Sequence, residues 1–432
     1  MKRLTVNPLT SASYALASIF SNNESHKYYL MSVEASYMAD TRQQYIPVSR
    51  LKLKKKLFNN WQFTPDQLTK LTSLSTMLEA IWHHDCHHGL EELKSLYEDM
   101  NPDTEEAIDM SQRNRFLEVL ENSLKDGNWE EISEKEVAEA HEGEDVLPIS
   151  LDVRFDELNV MKLYKLGENT ISDIRTTHFG LRKQNVQFDT FSQVIQVIEF
   201  HDKEWFQSDR KRMKHYPGDD DINGLHIRLF RTVPKLDLET IFPNTTPFMR
   251  GLDKIKIAAP LIGGLAGITM KFGPLLLGQE QGETGLSLVG GMLTALGTYI
   301  LKTYLAYQKT REKFQTQVSK DMYFKGQANN SAVLNVIVDL GEEQEVKESL
   351  LAYAFLHYDT ETQYTEQSLD SRIEEWILKT FAVDIDFEVD DALAKLEKMK
   401  LLTTDDNGIL SVLPIEDSLT ILDEYWDNIY DF

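Results

Sequence analysis

From Tyr45 to about Leu124, apolar residues recur at steps of three and four: Leu68, Leu71, Leu74, Leu78 and Ile81, then Leu90, Leu93 and Leu96. That spacing keeps them on one face of an α-helix, and it predicts an N-terminal helical domain over 1–130. Near Leu147 the period falls to two. Ile149, Leu151, Val153 and Phe155 alternate with Ser150, Asp152, Arg154 and Asp156, the pattern of a half-buried strand. Val160–Leu166, Phe191–Phe200 and Leu225–Val233 continue as strand candidates, the last two joined through the turn-rich run Pro217–Gly224. An antiparallel β-rich domain is therefore expected over 145–250.

The pattern then becomes apolar on all sides. Ile257–Gly278 and Gly285–Leu301 are each close to the length that crosses a hydrocarbon layer of roughly 30 Å, and Gln279–Glu283 forms a short acidic connection between them. A transmembrane helical hairpin is expected over 251–307. The first segment is interrupted by Pro260, Gly263, Gly264, Gly267, Gly273 and Pro274, and it carries Lys271. A lysine near a bilayer centre costs about 2.5 to 3.5 kcal/mol on insertion scales, against about 0.3 to 0.6 kcal/mol returned by each large apolar residue. Small residues lie four apart, as Gly263 and Gly267 in one segment and Ser287, Gly291 and Ala295 in the other, which permits close helix contact. Arg250, Lys254 and Lys256 precede the segments, and Lys302, Lys309, Arg311 and Lys313 follow. The positive-inside rule then places both termini on the cytoplasmic or matrix side of a bacterial or organelle inner membrane.

Residues 308–432 are expected to form a helical connector and a winged-helix-like domain. Val346–Tyr358, Leu369–Phe381 and Phe387–Lys400 read as helices, and Leu401–Leu402 and Ile409–Leu413 as strands around Asp405–Gly408. Two helices followed by a hairpin closed on Asn-Gly is a winged-helix order. In the would-be recognition helix, Glu388, Asp390, Asp391 and Glu397 outweigh Lys395, Lys398 and Lys400. Such a surface repels phosphates, so the lobe is read as a protein-interaction module. The acidic, aromatic run Leu422–Phe432 reads as a docking helix. The fold class expected is thus α+β multidomain.

Composition adds a sign and a compartment. The 432 residues contain 45 Lys and Arg against 70 Asp and Glu, a formal net charge of -25, which opposes a nucleic-acid partner. One cysteine, Cys86, rules out an internal disulfide framework. The apolar stretch Tyr14–Phe20 is too short for a secretory signal, so no cleaved leader is expected.

Candidate chemistry is sparse. In His83-His84-Asp85-Cys86-His87-His88, His83 pairs with His87 and His84 with His88 one helical turn apart, a spacing that can hold zinc through two imidazoles. Asp219–Gly224 opens like a calcium loop, but Phe230 stands at its twelfth position where a glutamate is required. The basic run Arg210–Lys214 suits a solvated loop. No catalytic residue and no cofactor can be assigned.

Several short motifs occur in a fixed order: Tyr45-Ile-Pro-Val48; Phe230-Arg-Thr-Val-Pro234 with Leu236-Asp-Leu-Glu239; Tyr323-Phe324 with Asn329-Asn330; and Phe387-Glu-Val-Asp-Asp-Ala-Leu393. Over roughly 45–432 this set resembles the uncharacterised family that includes animal mitochondrial transmembrane protein 143. The resemblance implies a two-span membrane protein of unknown activity, found in bacteria as well as organelles.

The role expected from these features is a membrane-anchored scaffold, with lipid and with protein partners or further copies of the chain as its contacts. One alternative is an oligomeric pore lined by Lys271, Thr294 and Thr298. Another is a metal-dependent enzyme built on His83, His84, His87 and His88.

Overall fold

The structure, a computed structural model, describes residues 42–105, 107–133, 135–137, 150–177, 182–248, 325–359 and 362–429, with separate helical residues between 291 and 320. Its helices are α1 (Arg50–Leu57), α2 (Pro65–Tyr97), α3 (Arg113–Asp126), α4 (Ser331–Tyr358), α5 (Glu366–Phe381), α6 (Val389–Lys398) and α7 (Ile415–Asp427). Its strands are β1 (Glu130–Glu131), β2 (Ser150–Val153), β3 (Leu158–Thr177), β4 (Arg182–Phe200), β5 (His226–Pro234), β6 (Thr245–Phe248), β7 (Gly326–Asn329), β8 (Leu402–Thr404) and β9 (Leu410–Val412).

The architecture is mixed helix and sheet. A five-stranded antiparallel sheet runs in the order β1-β3-β4-β5-β7, and two small sheets pair β2 with β6 and β8 with β9. The helical periodicity between Leu68 and Leu96 becomes one helix of 33 residues, started by Thr64 and Gln67 in a reciprocal capping box with Pro65 behind it. Proline is well placed there, because its missing N–H is one of the four that a helix start leaves unpaired.

Both faces of the sheet are covered, so its strands carry apolar residues on both sides. Ile195, Val197, Ile227 and Leu229 pack under the second half of α2, α3 and the start of α4. Val194, Ile198, Phe230 and Val233 pack on the opposite side with Phe206, Leu238, Ile241 and Phe242. The third core joins Ile46, Val48 and α1 to the first half of α2, the second half of α4, and α5 to α7. The cores therefore cut across the boundaries drawn from the sequence: α2 and α4 each serve two of them. Gly224 sits where α2's continuation meets β5, with φ +76° and Met100 O only 2.5 Å from any added Cβ, so a side chain is excluded there.

The expected transmembrane hairpin is corrected by the structure. Among the described residues no helix is long and apolar enough to cross a membrane. In the second apolar segment the described residues are 291, 294, 295 and 297–301, and the helix runs on to 305. Lys302 lies inside it, and Gln308 and Lys309 follow. The fold class is accordingly a mixed helix and sheet protein with an antiparallel sheet, without a transmembrane hairpin among the described residues. The first segment, with Gly263, Gly267 and Lys271, and Ser287 of the second lie outside those residues, as do Tyr14–Phe20 and Tyr323-Phe324.

Candidate functional site

The densest polar constellation lies where α2, α4 and α6 meet. Twelve consecutive residues of α4, Gln344–Phe355, are buried, including Glu345, Lys347 and Glu348. α6 inserts Lys395 between them, its side chain 6% exposed, with Nζ 2.7 Å from Glu345 Oε2, 2.5 Å from Glu348 Oε2 and 2.7 Å from Asp391 Oδ2. Asn128 Nδ2 donates to the other Glu348 oxygen at 2.8 Å. Three carboxylates around one ammonium leave an excess of negative charge, which a buried site relieves by holding a proton. Burial pushes the Glu345 carboxyl up to about 8, with Lys395 pulling the other way. Glu348 is also raised by burial. Burial alone would depress the Lys395 ammonium, but Glu348, Glu345 and Asp391 together hold it above its ordinary value. Glu345 Oε2 has no aligned hydrogen bond despite its ion-pair distance.

A strap of residues 42–48, containing the Tyr45–Val48 motif, crosses this junction. Ile46 N donates to Gln344 Oε1 at 3.2 Å and Ile46 O accepts from Lys347 Nζ at 3.0 Å. Gln44 Nε2 donates to Glu388, and Arg42 pairs with Glu374 at 2.8 Å and Asp386 at 3.3 Å. Gln43 Oε1 accepts from Glu168 N at 3.0 Å. The strap so ties α4, the α5–α6 loop and the sheet together.

Two helices, α5 and α6, are followed by the β8–β9 hairpin, whose Asp405 Oδ1 accepts from Asn407 N and Ile409 N. The basic residues of α6 are turned to internal use: Lys395 is buried in the junction and Lys398 Nζ lies 2.9 Å from Asp85 Oδ2. α7, the expected docking helix, packs Ile415 and Leu422 into the same core as α2.

The histidine run falls on α2. His83 Nδ1 lies 2.8 Å from Glu342 Oε2, and the rings of His83 and His87 stack with centroids 6.1 Å apart. With Asn335, Asp339 and Glu342 they border a shallow cavity of about 300 Å³ between α2 and α4. His84 contacts Asp85 at 3.4 Å and the edge of Trp426, and His88 is exposed. Among the described residues, no group of three or more His, Cys, Asp or Glu side chains could hold a metal ion. The metal-enzyme reading therefore has no ligand set there, since two imidazoles a turn apart need a third donor converging from another element.

Of the small and polar residues singled out in the second apolar segment, Gly291, Thr294, Ala295 and Thr298 lie on exposed helix, with Thr298 Oγ1 donating to Thr294 O at 2.8 Å. Beside them Tyr299, Ile300, Leu301, Tyr304 and Leu305 are 41 to 58% exposed. A larger polar cavity of about 690 Å³ opens at one end of the sheet, bordered by Glu199, His201, Lys203 and Asp219. Its charges are mutually paired, Arg113 with Glu199 at 2.9 Å and Lys203 with Asp219 at 2.8 Å.

Sequence reasoning passed over Glu345, Glu348 and Lys395 because a charge run on a helix usually faces water. The i,i+4 pair Asp391–Lys395 was the visible signal. It also passed over Gln196, a polar residue within Val194-Ile-Gln-Val-Ile198, a run otherwise apolar on both faces.

Residues 191–332 match a family described as a protein of unknown function, DUF3754. The matched segment holds the inner part of β4, all of β5 and β7, and the first two residues of α4. No solved structure matches the chain.

Proposed function

We propose that the chain is a self-associating protein-interaction scaffold, in which copies pack through the apolar helical segment around 291–305. The carrying observation is the exposure of Tyr299, Ile300, Leu301, Tyr304 and Leu305. They form a broad exposed apolar face, with Lys302 on the remaining side, and a contiguous exposed apolar patch marks an interaction surface. The α5–α7 lobe serves as a docking module in this reading, since its recognition helix spends Lys395 and Lys398 internally and a phosphate backbone requires free cations. The kinship with the family of animal mitochondrial transmembrane protein 143 is part of the same proposal, supported by motifs at Phe230–Glu239 and Asn329-Asn330 within the matched segment.

Light scattering on the full chain in detergent-free buffer is expected to give one defined multimer. Ile300→Glu combined with Leu305→Glu is expected to return it to monomer with unchanged circular dichroism. A monomeric wild type, or a chain that disperses only when detergent is added, overturns the proposal.

A further inference from the structure

β4 and β5 place three polar side chains side by side on the sheet face opposite the long helices. Gln196 is the register partner of Arg228, and Ile198 that of His226. Ile195, Val197, Ile227 and Leu229 point into the helix-covered core, so alternation turns Gln196, His226 and Arg228 to the other side, the side where Val194, Ile198 and Phe230 pack. Gln196 is 0% exposed, and neither its Oε1 nor its Nε2 has a hydrogen-bond partner. His226 is 9% exposed, and its Nε2 is also without a partner. Arg228 lies between them, partly exposed, with no ion pair or hydrogen bond among the described residues.

Buried polar atoms are almost always paired, because an unpaired one forfeits its hydration without compensation. Two neighbouring residues with that defect, Gln196 and His226, beside the partly exposed guanidinium of Arg228, describe an empty set of partners. The set has a definite chemistry. Arg228 offers the planar donor fork that fits two oxygens of an anion, and Gln196 Nε2 adds a further donor. Burial, followed by the charge of Arg228, depresses the His226 imidazole, while the Asp221 backbone carbonyl faces the ring. A neutral ring donating from Nδ1 presents Nε2 as an acceptor. The complement is an oxyanion that also carries a hydroxyl. Asp221 and Asp103 are the acidic groups acting on this histidine. Neither forms an ion pair with Arg228, and the guanidinium remains the cation available to a ligand.

We propose that Gln196, His226 and Arg228 form a binding site for a small hydroxyl-bearing oxyanion, either a phosphate monoester or a hydroxycarboxylate, entering from the exposed side of Arg228. The site lies within the segment matched to DUF3754 and is independent of self-association through 291–305.

The test is calorimetric titration of the full chain with inorganic phosphate and, separately, with glycolate, alongside thermal melts. Saturable binding of one probe per chain is expected, with at least a tenfold weaker Kd in Arg228→Met. Saturation by phosphate alone or by glycolate alone identifies the source of the anion. Gln196→Leu keeps the strand apolar and guards against misfolding: it is expected to melt at or above the wild-type temperature while binding is weakened at least tenfold. Absence of saturable binding of both probes to folded wild type, or binding unchanged in Gln196→Leu and Arg228→Met, overturns the proposal.

Discussion

Replacing Lys395 with methionine removes the cation that Glu345 and Glu348 both contact, at a site where they are 7% and 1% exposed and lie 2.7 and 2.5 Å from Nζ. Methionine fills much of the same volume, so the loss is mainly electrostatic. Breaking a buried ion pair by deleting one partner costs about 3 to 5 kcal/mol, because the remaining charge stays desolvated. At about 2.1 cal/mol/K of unfolding entropy per residue over 432 residues, that corresponds to a fall in melting temperature of roughly 3 to 6 °C. The cost depends on pH, since a carboxyl that takes up a proton no longer carries the stranded charge. The loss is therefore expected to be large at pH 8 and much smaller at pH 5, followed by thermal or urea denaturation monitored by far-ultraviolet circular dichroism. The combined variant Lys395→Met, Glu345→Gln, Glu348→Gln is expected to recover most of it at pH 8, because neutral groups of the same shape replace the whole network. An equal loss at both pH values, or a combined variant no more stable than Lys395→Met alone, would refute the reasoning.

The same cluster shapes the wild-type pH profile: Glu345 binds its proton more tightly folded, about 8 against 4.5, so its stabilising contribution is complete below about pH 4.5 and is lost as pH rises through 8. Lys347 is depressed by burial from 10.5 to about 8, so the unfolded chain holds the extra proton and stability recovers between pH 8 and 10.5; a wild-type curve running parallel to that of a Glu345→Gln, Lys347→Met variant would contradict both assignments. Burial, then Glu345, Glu342, Asp126 and Asp85, push the Cys86 thiol up to about 12, so at pH 8 iodoacetamide is expected to label native Cys86 more than a hundredfold more slowly than the urea-unfolded chain. Ile46→Ala empties a fully buried position of the strap at a cost of about 2 to 5 kcal/mol, and amide exchange is expected to accelerate together in α6 and near Glu168; acceleration in α6 alone would show that the strap does not tie the lobe to the sheet.

The elements that one buried face defines were legible from the pattern. The Leu71, Leu74, Leu78 and Ile81 stripe of α2 reflects a single boundary between core and water, and amphipathic periodicity records such boundaries. In α4 the helix was legible from Val346 to Tyr358 but its buried charges were not, because it has no such boundary over Gln344–Phe355. Its charged residues are inside and satisfied by partners far away in sequence, Glu348 by Lys395 and Asn128, Lys347 by Ile46. Local spacing cannot encode a partner hundreds of residues off. The Gln196 and Arg228 pairing is of the same kind: each position can be read as strand, but only strand register makes them neighbours. The apolar run to Leu301 was read as lipid-facing because exposed apolar helix and membrane span share one sequence signature.

Among the described residues, 42–48 tie the α5–α7 lobe to α4 and the sheet. The strap is short and polar, yet its backbone is held by Gln344 and Lys347 from α4, its Gln44 by Glu388, its Arg42 by Glu374 and Asp386, and its Gln43 meets Glu168 on β3. α2 and α4 already run through two cores each, so swinging the α5–α7 lobe away from the sheet would require breaking two long helices and stripping the strap at once. Motion of that kind is disfavoured when packed cores are shared rather than abutted. A rigid pairing of lobe and sheet holds two surfaces at fixed spacing, which is what a scaffold needs and what a nucleic-acid clamp that closes on its target does not. The buried charges hold no more tightly than an apolar contact of the same area, because the attraction of Lys395 to Glu345 and Glu348 is offset by the desolvation of all three groups; the shared cores and the strap carry the rigidity.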